Sequence, residues 1–250
     1  MGRRHSIAAR KASWDAAKSR TYSIIGKKIQ MAAKLGADWK MNPALEMILD
    51  KARYYGLPRE VIDRAILKWS GQLEGEHLEE IMYEWYGTAG TALLIKTITG
   101  NTNRTASTIK MLLSKHWWSL GLPNSVARQF KETGIIMLDG IMHSEHKGGK
   151  IVDSVLPRDQ SKLEDDLLNL PIEDFSEEDG KIVVQTNVVN FIQVKKDIEK
   201  LGYHITEADL QYLADNMVKL NDEDMVKFTK LLDAIEGDED VDCVRHNVEL

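Results

Sequence analysis

The sequence predicts an α+β protein in which a helical N-terminal region precedes mixed strands and helices. Apolar residues recur at helical spacing through residues 6–35, which indicates one long helix. Two β-rich runs, residues 81–86 and 91–99, flank a turn that contains Gly87 and Gly90, the pattern of a β-hairpin. Shorter strand-like and helix-like segments follow. Together they predict antiparallel sheets with helices on one face.

Two further helices are predicted between the long helix and the hairpin. Asn42 and Pro43 form a strong helix start, with Asn as the N-cap and Pro in the first turn. Gly56 stands where a helix C-terminus favours glycine, and Pro58 begins the next helix. We expect these helices to pack on the first as a small domain, followed by a linker over residues 70–77.

A polar loop, residues 100–105, separates the hairpin from a helix with Ile109, Leu112 and Leu113 at helical spacing. One interpretation is that Asn and Thr side chains of the loop cap this helix. The other is that Arg104 and the free backbone N–H groups at the helix start contact a phosphate. Both interpretations stay open from the residue chemistry.

The second half of the chain should alternate strands and helices. Residues 143–160 are predicted to be irregular because they are polar and lack a period. The predicted strands are residues 125–130, 135–138, 180–185, 203–213 and 241–248. The predicted helices are residues 161–170, 188–201 and 225–235, the last of them capped by Asn221.

Charge is distributed very unevenly along the 250 residues, whose net charge is −6. Residues 1–70 carry 15 Lys and Arg against 6 Asp and Glu, residues 71–134 carry 6 of each, and residues 135–250 carry 12 against 27. Such asymmetry predicts an end that binds polyanions and an acidic remainder that stays off them. The acidic remainder would also offer a surface to a protein partner.

The first helix is the strongest candidate for a nucleic-acid contact. A charged helix face is commonly just solvated, but here the sign is almost uniform and small residues allow close approach. Neutralising its lysines should weaken binding for all sequences alike and flatten its salt dependence. The candidate nucleic-acid-binding residues are Arg3, Arg4, Arg10, Lys11, Lys18, Arg20, Lys27, Lys28 and Lys34, with Asn101, Asn103, Arg104 and Thr105 from the polar loop.

No catalytic or metal-binding constellation emerges from the sequence. Phosphate loops, dinucleotide fingerprints and zinc motifs are absent, so we expect no catalytic residue, no metal, no cofactor and no small-molecule substrate. His143, Glu145 and His146 lack a second cluster that would complete a metal site. The single cysteine, Cys243, excludes an internal disulfide and fits a reducing compartment. With no apolar run that could cross a membrane, a cytoplasmic location is expected.

Several segments resemble the YebC/PmpR family: AARKASWDAAKSRTYSIIGKKI at the start, then YEWYGTAG, TGNTNRTAS and LSKHWWSLG. Typical members are similar to YEGYGPGG and DNxNRT at the second and third of these. The resemblance extends from Arg10 nearly to the C-terminus. It implies three domains: a basic helical domain over residues 1–73, a central α+β domain over residues 74–134 and 214–250, and an acidic α+β domain over residues 135–213 inserted into the central one.

The same resemblance implies a regulator of gene expression. Bacterial members are described as probable transcriptional regulators, and one relative is a mitochondrial translational activator of a cytochrome oxidase subunit. The first hypothesis is therefore a DNA-binding transcriptional regulator. The second is a ribosome-associated translation factor that binds ribosomal RNA or mRNA, which uniform cation density and the lack of a base-reading helix favour. An enzyme is the least supported alternative.

Four of the six tryptophans stand where most family members have glycine: Trp69, Trp85, Trp117 and Trp118. One hypothesis is that these codons are UGA in an organism that reads UGA as glycine. The other is genuine divergence, in which the indoles form a surface that stacks on bases. UGG codons at these four positions in the gene would exclude the first.

Overall fold

A computed structural model describes residues 2–69, 77–115, 119–120, 125–147 and 150–249. Side chains are described from Lys18 onward, except at positions 69, 88, 119–120, 144, 146–147 and 150–153. The chain forms two compact units, Met1–Lys131 with Ala214–Leu250, and Glu132–Leu213. The α+β class predicted from the sequence is confirmed. The predicted limits of the three domains stay a prediction, and the predicted linker lies mostly outside the described residues.

The N-terminal part of the first unit is a three-helix arrangement of α1 (Gly2–Ala33), α2 (Pro43–Tyr54) and α3 (Arg59–Trp69). The side chain of Asn42 accepts a hydrogen bond from the Leu45 N–H at 3.1 Å, so this N-cap prediction is confirmed. Helix α1 has 32 residues, about 48 Å, whereas α2 with 12 residues is about 18 Å long. The helical core therefore uses only part of α1. Its buried members are Ile25, Ile29, Ala32, Leu45, Leu49, Ala52, Leu57 and Ala65.

The rest of the first unit is a four-stranded antiparallel sheet in the order β3-β1-β2-β9. The predicted hairpin is β1 (Glu79–Tyr86) and β2 (Ala92–Thr99), with β3 (Ser119–Leu120) on one side and β9 (Val241–His246) on the other. Helices α4 (Thr102–Ser114) and α7 (Asp222–Glu236) share one apolar core with the sheet. The last strand thus lies beside a strand that is more than 140 residues earlier in the chain.

The second unit contains a five-stranded sheet. Four of its strands lie in the order β5-β4-β7-β6, and the fifth, β8, pairs with β4. Two helices, α5 and α6, bury apolar residues in this unit. Its elements are β4 (Phe130–Lys147, which begins in the first unit), β5 (Lys150–Leu156), α5 (Gln160–Leu168), β6 (Asp174–Glu178), β7 (Lys181–Thr186), α6 (Phe191–Lys200) and β8 (Tyr203–Ala214).

Two secondary-structure predictions between residues 125 and 160 were wrong, and one strand was missed. Residues 125–129 form a turn and a short 3-10 helix, because the Glu84 carboxylate accepts hydrogen bonds from the N–H groups of Val126 (2.7 Å) and Ala127 (2.9 Å). Of the predicted strand, only Phe130 is extended, as the first residue of β4. The segment predicted to be irregular forms the β4–β5 hairpin, because its backbone pairs across the two strands from Ile141 with Leu156 to Lys147 with Lys150. The strand β6 was not predicted, since it is short and acidic.

Replacing Gly134 with alanine should destabilise the second unit by about 1–3 kcal/mol. A β-carbon at this position would overlap the Phe191 ring and the Thr186 hydroxyl, both of which are buried. Urea unfolding followed by circular dichroism measures the effect. Gly26→Ala is the control, because its methyl group meets no atom within 4 Å and should not destabilise. Equal stability of the two variants would contradict the packing.

Candidate nucleic-acid interface

The predicted cations of α1 divide into two groups along the helix. The side chains of Arg3, Arg4, Arg10 and Lys11 lie outside the described residues, although their backbone is helical. Lys18 is exposed, and its ammonium lies 5.4 Å from the centroid of the Tyr22 ring. The two-turn spacing of Arg4, Lys11 and Lys18 places these positions on one stripe of the helix.

The cations in the second half of α1 do not form a free basic face, which corrects the expectation from the sequence. Lys27 donates to three oxygens: the Asp240 carboxylate at 2.7 Å, the Glu239 carbonyl at 2.9 Å and the Ile98 carbonyl at 3.0 Å. The ammonium has three N–H groups, so these contacts fill it. Lys28 pairs with Asp242 at 2.9 Å. Both lysines hold α1 against the central sheet.

Two more predicted cations also contact the sheet-containing part through backbone carbonyls. Arg20 donates to the Val241 carbonyl at 3.4 Å, and Lys34 donates to the Leu78 carbonyl at 3.2 Å. The cations in this half of α1 therefore mainly attach the helix to the sheet.

Asp240 is the centre of this attachment. Its side chain is 7% exposed, and it accepts from Lys27, from Arg104 at 2.7 Å, from Thr105 at 2.8 Å and from Thr99 at 3.1 Å. Burial would raise the pKa of this carboxyl group, but the hydrogen bonds from Lys27, Arg104 and Thr105 outweigh it and lower the pKa to about 2. Asp240 therefore carries a full charge at neutral pH.

The structure corrects the assignment of Thr105 as a nucleic-acid contact. Its side chain is 1% exposed and hydrogen-bonded to Asp240, so a phosphate chain cannot reach it. Asn101 caps α4 by accepting from the Arg104 N–H at 3.0 Å, as the capping interpretation predicted. Arg104 pairs with Asp240 while its side chain stays 58% exposed, and Asn103 is exposed. Asn101 is exposed too, so Asn101, Asn103 and Arg104 are the predicted loop contacts that remain accessible.

A groove between α1 and α3 contains cations that the sequence analysis missed. The groove has a volume of about 560 Å³, and Arg64 and Lys68 of α3 line it together with Lys27. No acidic side chain is among the described residues that line it, which also include the polar Ser23 and Gln30. The sequence does show Arg64 and Lys68 one helical turn apart, which places them on the same face of α3. This basic pair was overlooked because α3 also carries acidic residues.

Among the described residues there is no set of metal ligands, and the cysteine thiol is not activated as a nucleophile. His143 lies 3.1 Å from Glu145, and no group of three potential ligands occurs in the described part of the chain. Burial raises the pKa of the Cys243 thiol, and nearby Asp242 adds to the shift, so the reactive thiolate is disfavoured. No described helix is long and apolar enough to cross a membrane.

The structure also bears on the tryptophans. Trp85 is 3% exposed in the core of the central sheet, so it cannot belong to a surface that stacks on bases. Its indole N–H has no hydrogen-bond partner among the described residues. Trp117 and Trp118 lie outside the described residues, as does the side chain of Trp69.

Comparison with known proteins finds relatives along nearly the whole chain. A probable transcriptional regulatory protein of Thermoanaerobacter pseudethanolicus is 39% identical over 250 residues, covering 98% of this chain and 94% of the relative. Another, of Caldanaerobacter subterraneus, is 37% identical and covers 98% of this chain and 96% of the relative. The crystal structure of a conserved hypothetical protein from Aquifex aeolicus has a TM-score of 0.79 and 29% identity, covering 94% of this chain and 91% of that one.

Two family models match consecutive parts of the sequence. The one described as the TACO1/YebC protein N-terminal domain matches residues 3–72, which contain the three-helix arrangement. The one described as the TACO1/YebC second and third domain matches residues 78–248, which contain both sheets. The chain therefore belongs to the TACO1/YebC family.

Proposed function

We propose that this protein is a nucleic-acid-binding regulator of gene expression that acts in the cytoplasm and does not catalyse a reaction. The observation that carries the proposal is the groove between α1 and α3, which is lined by Arg64 and Lys68 and has no acidic side chain among its described lining residues. The third lining cation, Lys27, is already filled by internal acceptors. Arginine and lysine on a helix pair are suited to phosphate oxygens, which supply most of the affinity in nucleic-acid binding.

A role in transcription is the first candidate, because the relatives cited above are named probable transcriptional regulatory proteins. In this role the helical domain would grip the DNA backbone. The acidic second unit would stay away from the phosphates and meet a protein partner instead.

Ribosome-associated action in translation is the second candidate. It is favoured by the kind of contact that the groove offers, since Arg64 and Lys68 on neighbouring turns suit phosphates along a backbone. Base readout in the major groove of duplex DNA uses an α-helix or a two-stranded β-ribbon that presents side chains to the base edges. Contacts to the backbone alone suit the irregular surface of folded RNA.

Fractionation of a cell lysate on a sucrose gradient separates the two candidates. Co-migration with ribosomes that survives DNase treatment would support translation. Migration with free protein, together with a footprint at a promoter, would support transcription. Purified protein should bind both a duplex DNA and an oligouridylate, with affinity that falls linearly on logarithmic axes as salt rises. Affinity that does not depend on salt would contradict the proposal itself.

A further inference from the structure

A second cationic cavity lies between α1, α2 and β9, apart from the groove described above. Its volume is about 290 Å³, roughly ten times the volume that one water molecule occupies in the liquid. Three cations and one acid are among its described lining residues. The lining comprises Arg20, Thr21, Ile24, Ile25, Lys28, Lys51, Tyr55 and Asp242.

The ion pair at this cavity is held less firmly than the one at Asp240. Lys27 fills all three of its N–H groups, whereas Lys28 is paired with Asp242 through a single contact at 2.9 Å. The side chain of Asp242 is 5% exposed, yet its Oδ2 atom has no hydrogen-bond partner among the described residues.

Arg20 is also incompletely satisfied. Its Nε atom is buried without a partner among the described residues, and its bond to the Val241 carbonyl is long at 3.4 Å. A buried donor without a partner is costly, so an arrangement that satisfies Arg20 would be favoured. A nearby anion with several acceptor oxygens provides such an arrangement.

We propose that this cavity binds a phosphate group, and that Asp242 is the ion-pair partner of Lys28 until the phosphate replaces it. The inference rests on the proposed function and adds a second phosphate contact to it. A phosphate has enough oxygens to accept from an ammonium, a guanidinium and a hydroxyl at once, which are the groups that line the cavity. Asp242 then acts as an internal substitute for the ligand. Lys28 exchanges one anion for another, and the displaced Asp242 carboxylate has to turn towards solvent, because a buried carboxylate without a partner beside a phosphate would be strongly destabilising.

A double-mutant cycle tests the exchange, with fluorescence anisotropy of a labelled oligouridylate as the readout. Asp242→Asn should tighten binding about fivefold, because it keeps the side-chain shape and releases Lys28. Lys28→Gln should change the affinity of the wild type less than twofold but remove the gain in the Asp242→Asn background. Glu236→Gln, an exposed acid of α7, is the control for the change in net charge. An Asp242→Asn effect no larger than that of Glu236→Gln would overturn the proposal.

Lys51→Gln is a second test that leaves the Lys28–Asp242 pair intact. It should weaken binding about threefold, whereas Arg53→Gln on the same helix should not, because Arg53 does not line the cavity. Equal effects of the two variants would contradict a site in this cavity. Titration of inorganic phosphate in parallel identifies the source. If both inorganic phosphate and the oligouridylate bind, free phosphate is a ligand of the cavity. If only the oligouridylate binds, the cavity takes phosphates of a nucleic-acid chain. If neither binds, the site is refuted.

A measurement without nucleic acid separates this inference from the proposed function. The acetylation rate of Lys28 should be at least about tenfold below that of exposed Lys18 in the wild type, and should rise in Asp242→Asn. Similar rates for the two lysines in the wild type would overturn the masking of Lys28 whatever the protein binds. Conversely, if mutation of the cavity abolished oligouridylate binding and mutation of the groove did not, the groove would be refuted as a binding site and the cavity would be retained.

Discussion

Replacing Asp240 with alanine is expected to lower the free energy of unfolding of the first unit by about 3–5 kcal/mol. The side chain is 7% exposed and receives hydrogen bonds from Lys27, Arg104, Thr105 and Thr99. Its removal leaves the Lys27 ammonium, which is itself only 18% exposed, next to carbonyl oxygens and without its counter-charge. Buried charges that lose their partner are among the most destabilising changes in proteins.

Urea unfolding of the whole chain, with the transition of each unit followed separately, measures this effect. Glu239→Ala is the matched control, since Glu239 is the neighbouring exposed acid and its contact with Lys27 is through the backbone carbonyl. The control should change stability by less than about 0.5 kcal/mol. If both variants were equally stable, Asp240 would not be the centre of the attachment between α1 and the sheet.

The same carboxylate predicts an acid-dependent loss of stability. Its pKa is lowered to about 2 in the folded protein, below the ordinary value for aspartate, so its contribution is fully present above about pH 4 and is lost as the pH falls through 2. The contribution is about 2 kcal/mol for a shift of this size. Asp240→Asn should lack it. The difference in unfolding free energy between wild type and Asp240→Asn should therefore shrink between pH 5 and pH 2, and a constant difference would contradict the role of the charge.

Local features of the fold could be predicted from the sequence because their causes are local. Asn42 and Asn221 cap their helices by accepting hydrogen bonds from the N–H groups three residues later, and Gly56 takes a positive φ after α2. The hairpin from residue 79 to residue 99 follows from its own alternation and its glycine turn. Such signals need no knowledge of distant residues.

Features that depend on distant residues could not be predicted. The turn after residue 124 is fixed by Glu84, some 42 residues earlier, and the environment of Lys27 is fixed by Asp240, 213 residues later. For the candidate site the consequence is direct. The sequence identified the sign of the charge in the helical domain correctly, but Lys27 and Arg64 are indistinguishable there. Both residues line the same groove, and only the fold shows that the ammonium of Lys27 is filled by internal acceptors.

Neutralising Arg64 and Lys68 of the groove, together with Lys18, whose ammonium lies beside the groove residue Tyr22, is expected to have the largest effect on binding. In the triple variant Lys18→Gln, Arg64→Gln, Lys68→Gln, three phosphate contacts are lost. The affinity for an oligouridylate should fall about 100-fold near 0.1 M salt, and the slope of log affinity against log salt should fall by about 2. Lys27 is left unchanged, because it holds α1 on the sheet and its removal would confuse binding with stability. Lys28 is left unchanged because it belongs to the second cavity.

The matched control removes the same charge elsewhere in the helical domain. Lys40→Gln, Arg53→Gln, Arg59→Gln changes three exposed cations that do not line the groove, two of which already pair with acids on their own helices. If binding depended only on net charge, the two triple variants would lose the same affinity and the same slope. We expect the control to keep most of the slope, because the number of counterions released depends on the number of phosphates that the protein contacts. An equal loss in both variants would move the binding surface away from the groove between α1 and α3.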